Sequence, residues 1–330
     1  MGIIRGADLG WATQLEDMGY YWKDDEGRTG DILDIMKSYN ISAIRFRLFV
    51  DPPADAFWDK TPTERCMMGY CRTEDVLKMA RRVKSAGLKV MLTVHYSDYF
   101  ADPNYQILPR SFENHTEEQL IEDVRRYTLE VMEAFRAGGV QPDWVQVGNE
   151  TNTGMMLPYG DAKSNMKLLS QFLNAGYDAV KAIFPDTVVI THLACGAVRD
   201  QIRDWFDSFF AEGGRTDLIG LSHYPYWYKT MPDITLSDLS ECLKDYYAAY
   251  KKPIMVVEVG EDNERPDDTY DLIKETISAL ESVPDNMGQG VFYWEPEAPR
   301  EVLPDGYPLG ASTLTGDKEI TFTRAMRAFM

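Results

Sequence analysis

Two hydrophobic runs in this 330-residue chain stop at a carboxylate. One is Trp144-Val145-Gln146-Val147-Gly148-Asn149-Glu150; the other is Pro253-Ile254-Met255-Val256-Val257-Glu258. Runs rich in Val, Ile and Trp have strand propensity. An unpaired carboxylate at the mouth of a buried strand is costly, so a glutamate there suggests use as well as packing. Two of them suit double-displacement hydrolysis of a glycosidic bond, which needs an acid/base and a nucleophile about 5 Å apart. The plainer alternative is two local salt bridges, and the neighbouring residues must decide between them.

Those neighbours carry further chemistry. Other strand-like runs deliver Arg45-Phe46-Arg47, His95-Tyr96-Ser97-Asp98, His192, Ser222-His223-Tyr224 and Tyr293-Trp294-Glu295. Three of the four histidines fall at such ends. Packing explains any one of them, but not easily the cluster. Arg45 and Arg47 share strand parity and should face one side, with Phe46 and Leu48 on the other. Buried arginines need anionic partners. Glu258 suits one of them, and the pairing would favour its ionised form; a structural pair with Asp8 or Asp51 is the alternative. Neither a His-x-His pair nor a compact carboxylate-histidine set is present, and the histidine-bearing ends are too far apart in sequence to decide geometry, so no catalytic metal or other cofactor is expected. Phosphate-loop and dinucleotide fingerprints are missing.

These residues must be positioned by an alternating pattern. Strands are expected at Ile3–Asp8, Ser42–Val50, Lys89–His95, Trp144–Asn149, Thr187–Leu193, Leu218–His223, Ile254–Glu258 and Gly290–Glu295. Amphipathic helices are expected from Thr73 to Ala86, after Thr116, and near Ala162–Ile183, Arg199–Ala211, Leu236–Tyr250, Thr269–Leu280 and Phe322–Phe329. Capping residues, acidic first turns and terminal glycines mark the first two. Strand-helix alternation with eight strands predicts an α/β fold, a (β/α)8 TIM barrel formed by residues 1–330 as one domain. The long non-periodic segments Asp51–Arg72 and Phe100–His115 follow strands two and three, on the face where such barrels carry their active sites.

Composition narrows the partner. Lys plus Arg is 34 against 53 for Asp plus Glu, a net charge of −19. That disfavours nucleic acid and anionic membranes, which need basic surfaces, and is compatible with a neutral polymer. Aromatic residues make up 12% of the chain, including 7 Trp and 19 Tyr, enough to supply sugar-stacking rings as well as a core. Cys66 and Cys71 share a loop and suit either a local disulfide or two free thiols, while Cys195 and Cys242 look like ordinary buried cysteines. No apolar run is long enough to span a membrane. Met1-Gly2 leads directly into Ile3-Ile4 without an export signal, which leaves a cytosolic protein or, as expected here, a secreted, cell-surface or periplasmic one whose signal peptide has been removed.

Taken in order, these segments resemble the endo-β-1,4-galactanases of glycoside hydrolase family 53. The resemblance rests on Gly6-Ala7-Asp8, Arg45-Phe46-Arg47 with Asp51-Pro52-Pro53, His95-Tyr96-Ser97-Asp98 and Ala101-Asp102-Pro103. It continues through Gln146 to Glu150, Gly220-Leu221-Ser222 with Tyr224-Pro225, Val256-Val257-Glu258, and Gly290 to Pro296. It implies retaining hydrolysis of β-1,4-galactan, the neutral side chain of type I arabinogalactan in pectin. Glu150 would be the acid/base and Glu258 the nucleophile. Asn149 would bind the 2-hydroxyl, Arg45, His95 and Tyr224 would hold Glu258 and the sugar, and Trp294 would lie beneath the ring. Asp98 and Trp227 would make neighbouring contacts. The chain departs from the family pattern at Leu157-Pro158, where the family commonly has a Trp before the proline, so that one sugar platform is either missing or replaced by Tyr159. It departs again at Ala194-Cys195-Gly196, at Val259-Gly260-Glu261, and in the short connection between strands seven and eight, which lacks a calcium-binding insert. These departures bear on subsite number and product length. They also keep open a sister hydrolase of mannan or xylan, and a non-catalytic glycan-binding barrel.

Overall fold

The structure, a computed structural model, describes residues 2–231 and 233–330; Met1 and Pro232, both within the expected single domain 1–330, lie outside them. Eight parallel strands form a closed barrel. They are β1 (Ile4–Asp8), β2 (Ala43–Leu48), β3 (Lys89–Val94), β4 (Trp144–Val147), β5 (Val188–Leu193), β6 (Leu218–His223), β7 (Ile254–Val259) and β8 (Gly288–Tyr293). Neighbours around the barrel follow chain order, and β8 closes against β1 through pairs such as Gly6 with Phe292. The main helices packed around the barrel are α1 (Ile32–Ser38), α2 (Thr73–Ser85), α3 (Glu117–Ala137), α4 (Met166–Ile183), α5 (Arg199–Ala211), α6 (Leu239–Tyr250) and α7 (Pro266–Glu281). Each follows the strand of the same number, as a parallel sheet requires.

Local chemistry sets the helix ends. Thr116 and Gln119 form a reciprocal capping box at the start of α3, whose Leu120, Val124, Tyr127 and Val131 face the core. Asp238 caps α6 through the Glu241 amide, so that helix begins at Leu239 rather than at the expected Leu236. Asp161 instead accepts from the Lys163 and Ser164 amides, a turn that delays α4 from Ala162 to Met166.

Inside the barrel, composition changes along the strands. A lower layer runs from Ala43, Met91 and Trp144 through Ile190 and Leu218 to Phe292. Gly6 and Gly220 leave room in the lumen: a Cβ at Gly6 would lie 2.2 Å from the Phe292 ring, and one at Gly220 would lie 2.7 Å from Ile190. Two residues further along four of these strands, the same face presents Arg45, Thr93, Gln146 and His192, all buried. Phe46 and Leu48 pack in the outer core between strands and helices. The parity expected for the two arginines is therefore the one observed. Buried polar side chains must be partnered, so this upper layer has to be a hydrogen-bonded network.

The chain's last segment differs from expectation. Glu319–Phe322 is a strand, parallel to Tyr21–Lys23 and antiparallel to Ser312–Leu314, and the eighth connection ends in a 3-10 helix, Arg324–Phe329. A short helix at Ala12–Asp17 and α1 also escaped the periodicity reading, because each is under two full turns or barely more. The segment after β2 contains an antiparallel hairpin, Phe57–Thr61 with Glu64–Met67.

Candidate active site

The barrel strands end sooner than their hydrophobic runs because the chain turns sharply there. Tyr96, Glu150, Cys195 and Glu295, following β3, β4, β5 and β8, all have φ between +47° and +63°. For residues with side chains this is a strained region, costing on the order of 1–3 kcal/mol where structure enforces it. At Glu150 the enforcing contacts are visible. Gln106 Nε2 donates to the carbonyls of Asn149 (2.8 Å) and Glu150 (3.2 Å), and the Thr151 amide donates to the His192 carbonyl at 3.1 Å. The loop after β3 thus holds Glu150 in place.

Glu258 is aimed differently. Met255 and Val257 face the lumen, while Val256 and Val259 pack in the outer core. Simple alternation would turn Glu258 outward. The register slips against β6 between Leu221 and Ser222, and against β8 between Val256 and Val259. This bulge re-aims Glu258 into the barrel mouth.

The two glutamates meet there. A carboxylate oxygen of Glu150, one of Glu258 and a ring nitrogen of His192 lie within 4.8 Å of one another. Their surroundings are unequal. Glu258 Oε1 accepts from Arg45 Nη2 at 2.8 Å, and Oε2 accepts from the Tyr224 hydroxyl at 2.9 Å. Glu150 has the Ser222 hydroxyl at 2.6 Å from Oε1. Burial, and secondarily the Glu258 charge, push the Glu150 carboxyl well above the usual carboxylate range, against a smaller downward pull from Ser222. Burial also raises Asp8, more than its 2.7 Å pair with Arg45 lowers it. Arg45 therefore satisfies both partners anticipated for it, Asp8 as well as Glu258.

The polar layer beneath is continuous. Arg45 also donates to Gln146 Oε1 (2.8 Å) and Asn149 Oδ1 (3.0 Å). Asn149 Nδ2 donates to the Ala101 carbonyl at 2.8 Å, which leaves its second Nδ2 hydrogen without a partner among the described residues. His95 Nδ1 accepts from the Ala101 amide at 2.9 Å. Burial, and then the Arg45 charge, depress both His95 and His192 far below the usual imidazole range. Burial alone lowers His223 to about 4.

Against the expectation that no compact carboxylate-histidine set is present, Glu150, His192 and Glu258 form one, because the closed barrel brings three distant strand ends together. Both ring nitrogens of His192 already face protein, Nε2 toward Ser222 (2.8 Å) and Nδ1 toward Gln146 (2.9 Å). Binding a metal there would break that network.

Above the pair opens a cleft of about 610 Å³, within the usual range for ligand sites. Its lining includes His95, Asn149, Glu150, Tyr224, Trp227, Glu258 and Trp294. Trp294 meets Tyr307 (4.6 Å between centroids) and Trp11 (5.3 Å) edge-on. Arg47 lies 4.7 Å from the Trp11 ring and forms a buried ion pair with Glu295. One wall comes from the hairpin and the loop after β3, where Trp58 stacks on Tyr99 at 4.9 Å and Tyr105 meets Trp58 edge-on.

Three expectations fall elsewhere. Asp98 does not line the cleft: it is buried, accepting from the amides of Asp51 (3.1 Å) and Arg110 (3.0 Å), and so ties two loops together. Tyr159 packs against the core and is not among the residues that line the cleft. Cys66 and Cys71 are free thiols, with Cys71 Sγ donating to the Met68 carbonyl, and Cys195 is a half-buried residue of the cleft lining rather than a core cysteine. Sequence reasoning also missed several contributors. Gln106 and Tyr307 sit in loops, and Trp58 in the short hairpin after β2, all without a periodic signal. His192 and Ser222 were visible at strand ends, but nothing in sequence set them against the glutamates.

Comparison with known proteins fits this arrangement. A sequence profile described as Glycosyl hydrolase family 53 matches residues 4–329. A probable arabinogalactan endo-β-1,4-galactanase A of Aspergillus tubingensis is 30% identical over 315 residues, covering 88% of this chain and 84% of that one. The family 53 catalytic domain of Ignisphaera aggregans superposes with a TM-score of 0.84 at 25% identity, over 99% and 95% of the two chains. A fungal β-1,4-galactanase structure gives a TM-score of 0.85 at 23% identity, over 100% and 99%. At that last identity the likeness speaks for the fold.

Proposed function

The chain belongs to glycosyl hydrolase family 53, and from that premise we propose that it is a retaining endo-β-1,4-galactanase acting on the galactan side chains of type I arabinogalactan. The observation that carries the mechanism is the Glu150–Glu258 pair. An oxygen of each lies within 4.8 Å of the other, a spacing that supports a nucleophile paired with an acid/base over the wider pair of an inverting enzyme.

In the first half-reaction Glu258 attacks the anomeric carbon while the Glu150 proton passes to the departing glycosidic oxygen. The donors on Glu258 suit an attacking carboxylate, and the raised Glu150 suits an acid. In the second half-reaction Glu150 takes a proton from water. That water's oxygen bonds the anomeric carbon, and the bond to Glu258 breaks with its electron pair returning to the carboxylate. The remaining Nδ2 hydrogen of Asn149 points to the 2-hydroxyl as its acceptor, and Trp294 supports the ring. Arg45, His95 and Tyr224 hold Glu258 and the sugar, with Trp227 beside them. The same substrate places the enzyme's work outside the cytoplasm, as a secreted, cell-surface or periplasmic protein; no helix of the described residues is long and apolar enough to cross a membrane.

The test is the product profile from unbranched β-1,4-galactan, with the first-formed anomer read by NMR. Internal cleavage giving β-configured ends supports the reading. An α-configured first product, or faster cleavage of mannan or xylan in the same panel, overturns it.

A further inference from the structure

The Ser222 hydroxyl stands between the two carboxylates. Its Oγ is 2.6 Å from Glu150 Oε1, 3.4 Å from Glu258 Oε2 and 2.8 Å from His192 Nε2. The residue is fully buried, and its single hydrogen serves one acceptor at a time.

The groups behind it decide where that hydrogen points. Arg45 Nε donates to Gln146 Oε1, so Gln146 turns its Nε2 hydrogens toward Thr93 and the His192 Nδ1. A neutral imidazole carries one N–H. With Nδ1 accepting, that hydrogen lies on Nε2 and is donated to Ser222 Oγ. Asn149 Oδ1, 3.1 Å from the same Nδ1, already accepts from Arg45. Ser222 is left with its own hydrogen aimed at the glutamates.

We propose that Ser222, oriented by His192, is a positioning residue that stabilises Glu150 as the base of the second half-reaction and turns to Glu258 while Glu150 holds the proton. This rests on the roles given to the two glutamates above. While Glu150 is protonated, Glu258 bears the charge and Oε2 is the better acceptor. Once Glu258 is esterified, Glu150 is the anion and receives the 2.6 Å bond. Ser222 neither gains nor loses a proton in either step; it only reorients.

Charged and titratable groups face Glu150 from several strand ends. Glu258 and Asp102 are acidic, and Arg45 is the cation. Cys195, Tyr224, Tyr228 and Tyr307 are near it too, each pushed up by burial and so neutral across the working range. The Ser222 hydrogen bond favours the Glu150 anion, in the same sense as Arg45.

The experiment uses the whole chain and an activated aryl β-galactoside whose glycosyl-enzyme hydrolysis limits turnover, seen as a burst of aryl alcohol. The base must be ionised, so kcat falls on the acid side of its pKa. In Ser222→Ala that limb should move up by about one pH unit, the worth of one hydrogen bond to a charged group. At pH values on the limb kcat should drop about tenfold, with the burst retained. Azide, which needs no base, should restore turnover. If Ser222→Ala does not fold, Ser222→Cys, of similar size but a weaker donor, should show the same direction. An unmoved limb, with burst and steady state reduced alike, overturns the proposal. Glu150→Ala is run beside it: a limb that persists there overturns the base assignment and this inference together. A limb lost in Glu150→Ala but unmoved in Ser222→Ala overturns this inference alone.

Discussion

Arg45 Nη2 lies 2.8 Å from Glu258 Oε1, while Nη1 of the same guanidinium lies 2.7 Å from Asp8 Oδ2. One buried cation therefore joins the floor of the barrel mouth to the proposed nucleophile, with Gln146 and Asn149 accepting from two more of its donors. Most of what the site does depends on that hub staying rigid.

Arg45→Lys should be far from conservative. Lysine lacks the planar fork, and breaking a buried pair costs about 3–5 kcal/mol. We expect a clearly lower Tm by calorimetry and a kcat loss of about 10²-fold or more, since small misplacements at a reacting centre have that effect. A variant of wild-type stability and rate would show that the hub is dispensable.

Glu258→Ala should lower turnover on the order of 10⁴-fold or more, as loss of a covalent nucleophile does. Galactan binding by calorimetric titration should survive. Added azide should give a glycosyl azide of inverted configuration. Residual turnover near wild type would remove Glu258 from the proposed role.

Glu150→Ala should separate substrates by leaving group. An activated aryl glycoside, whose leaving group needs no proton, should glycosylate the enzyme much faster than the polymer does. Equal losses on both would contradict the acid assignment.

Glu150 should also show in stability. Its folded-state pKa is raised, mainly by burial and then by Glu258. The folded protein thus holds a proton that the unfolded chain releases as pH rises past its ordinary carboxyl pKa, about 4.3. Stability falls from there up to the folded pKa. Glu150→Gln should therefore have a Tm a few degrees above wild type at pH 8 and a smaller gap at pH 4. A gap that narrows as pH rises would mean the carboxyl is not held up in the folded state.

Trp294→Ala should weaken the site without removing its chemistry. A buried aromatic face is worth about 1.5–3 kcal/mol plus ring-specific terms, so kcat/KM on galacto-oligosaccharides should fall about 30-fold or more. Trp294→Phe should recover part of it. An unchanged KM would argue that the sugar sits elsewhere in the cleft.

Sequence alone determined the barrel. Eight hydrophobic runs alternating with amphipathic stretches left one compact way to bury both faces of every strand. It also determined which residues reach the active face, because in- and out-facing positions alternate, as Arg45 and Arg47 show against Phe46 and Leu48. The family resemblance added the order of the motifs. Short elements stayed hidden: the hairpin after β2 and the C-terminal strand at Glu319–Phe322 are held by partners far away in the chain, not by local pattern.

Only the tertiary structure decided how those residues meet. Alternation would have turned Glu258 away from Glu150, and the β7 bulge, set by register with β6 and β8, turns it back. The family resemblance implies a cleft contact for Asp98, yet the chain bends there and commits the carboxylate to two loop amides. Ser222, His192 and Gln106 gain their significance from hydrogen bonds across 30 to 72 positions of sequence. A hydrogen bond is a statement about distance and direction in space, and residue order carries neither until the barrel has closed.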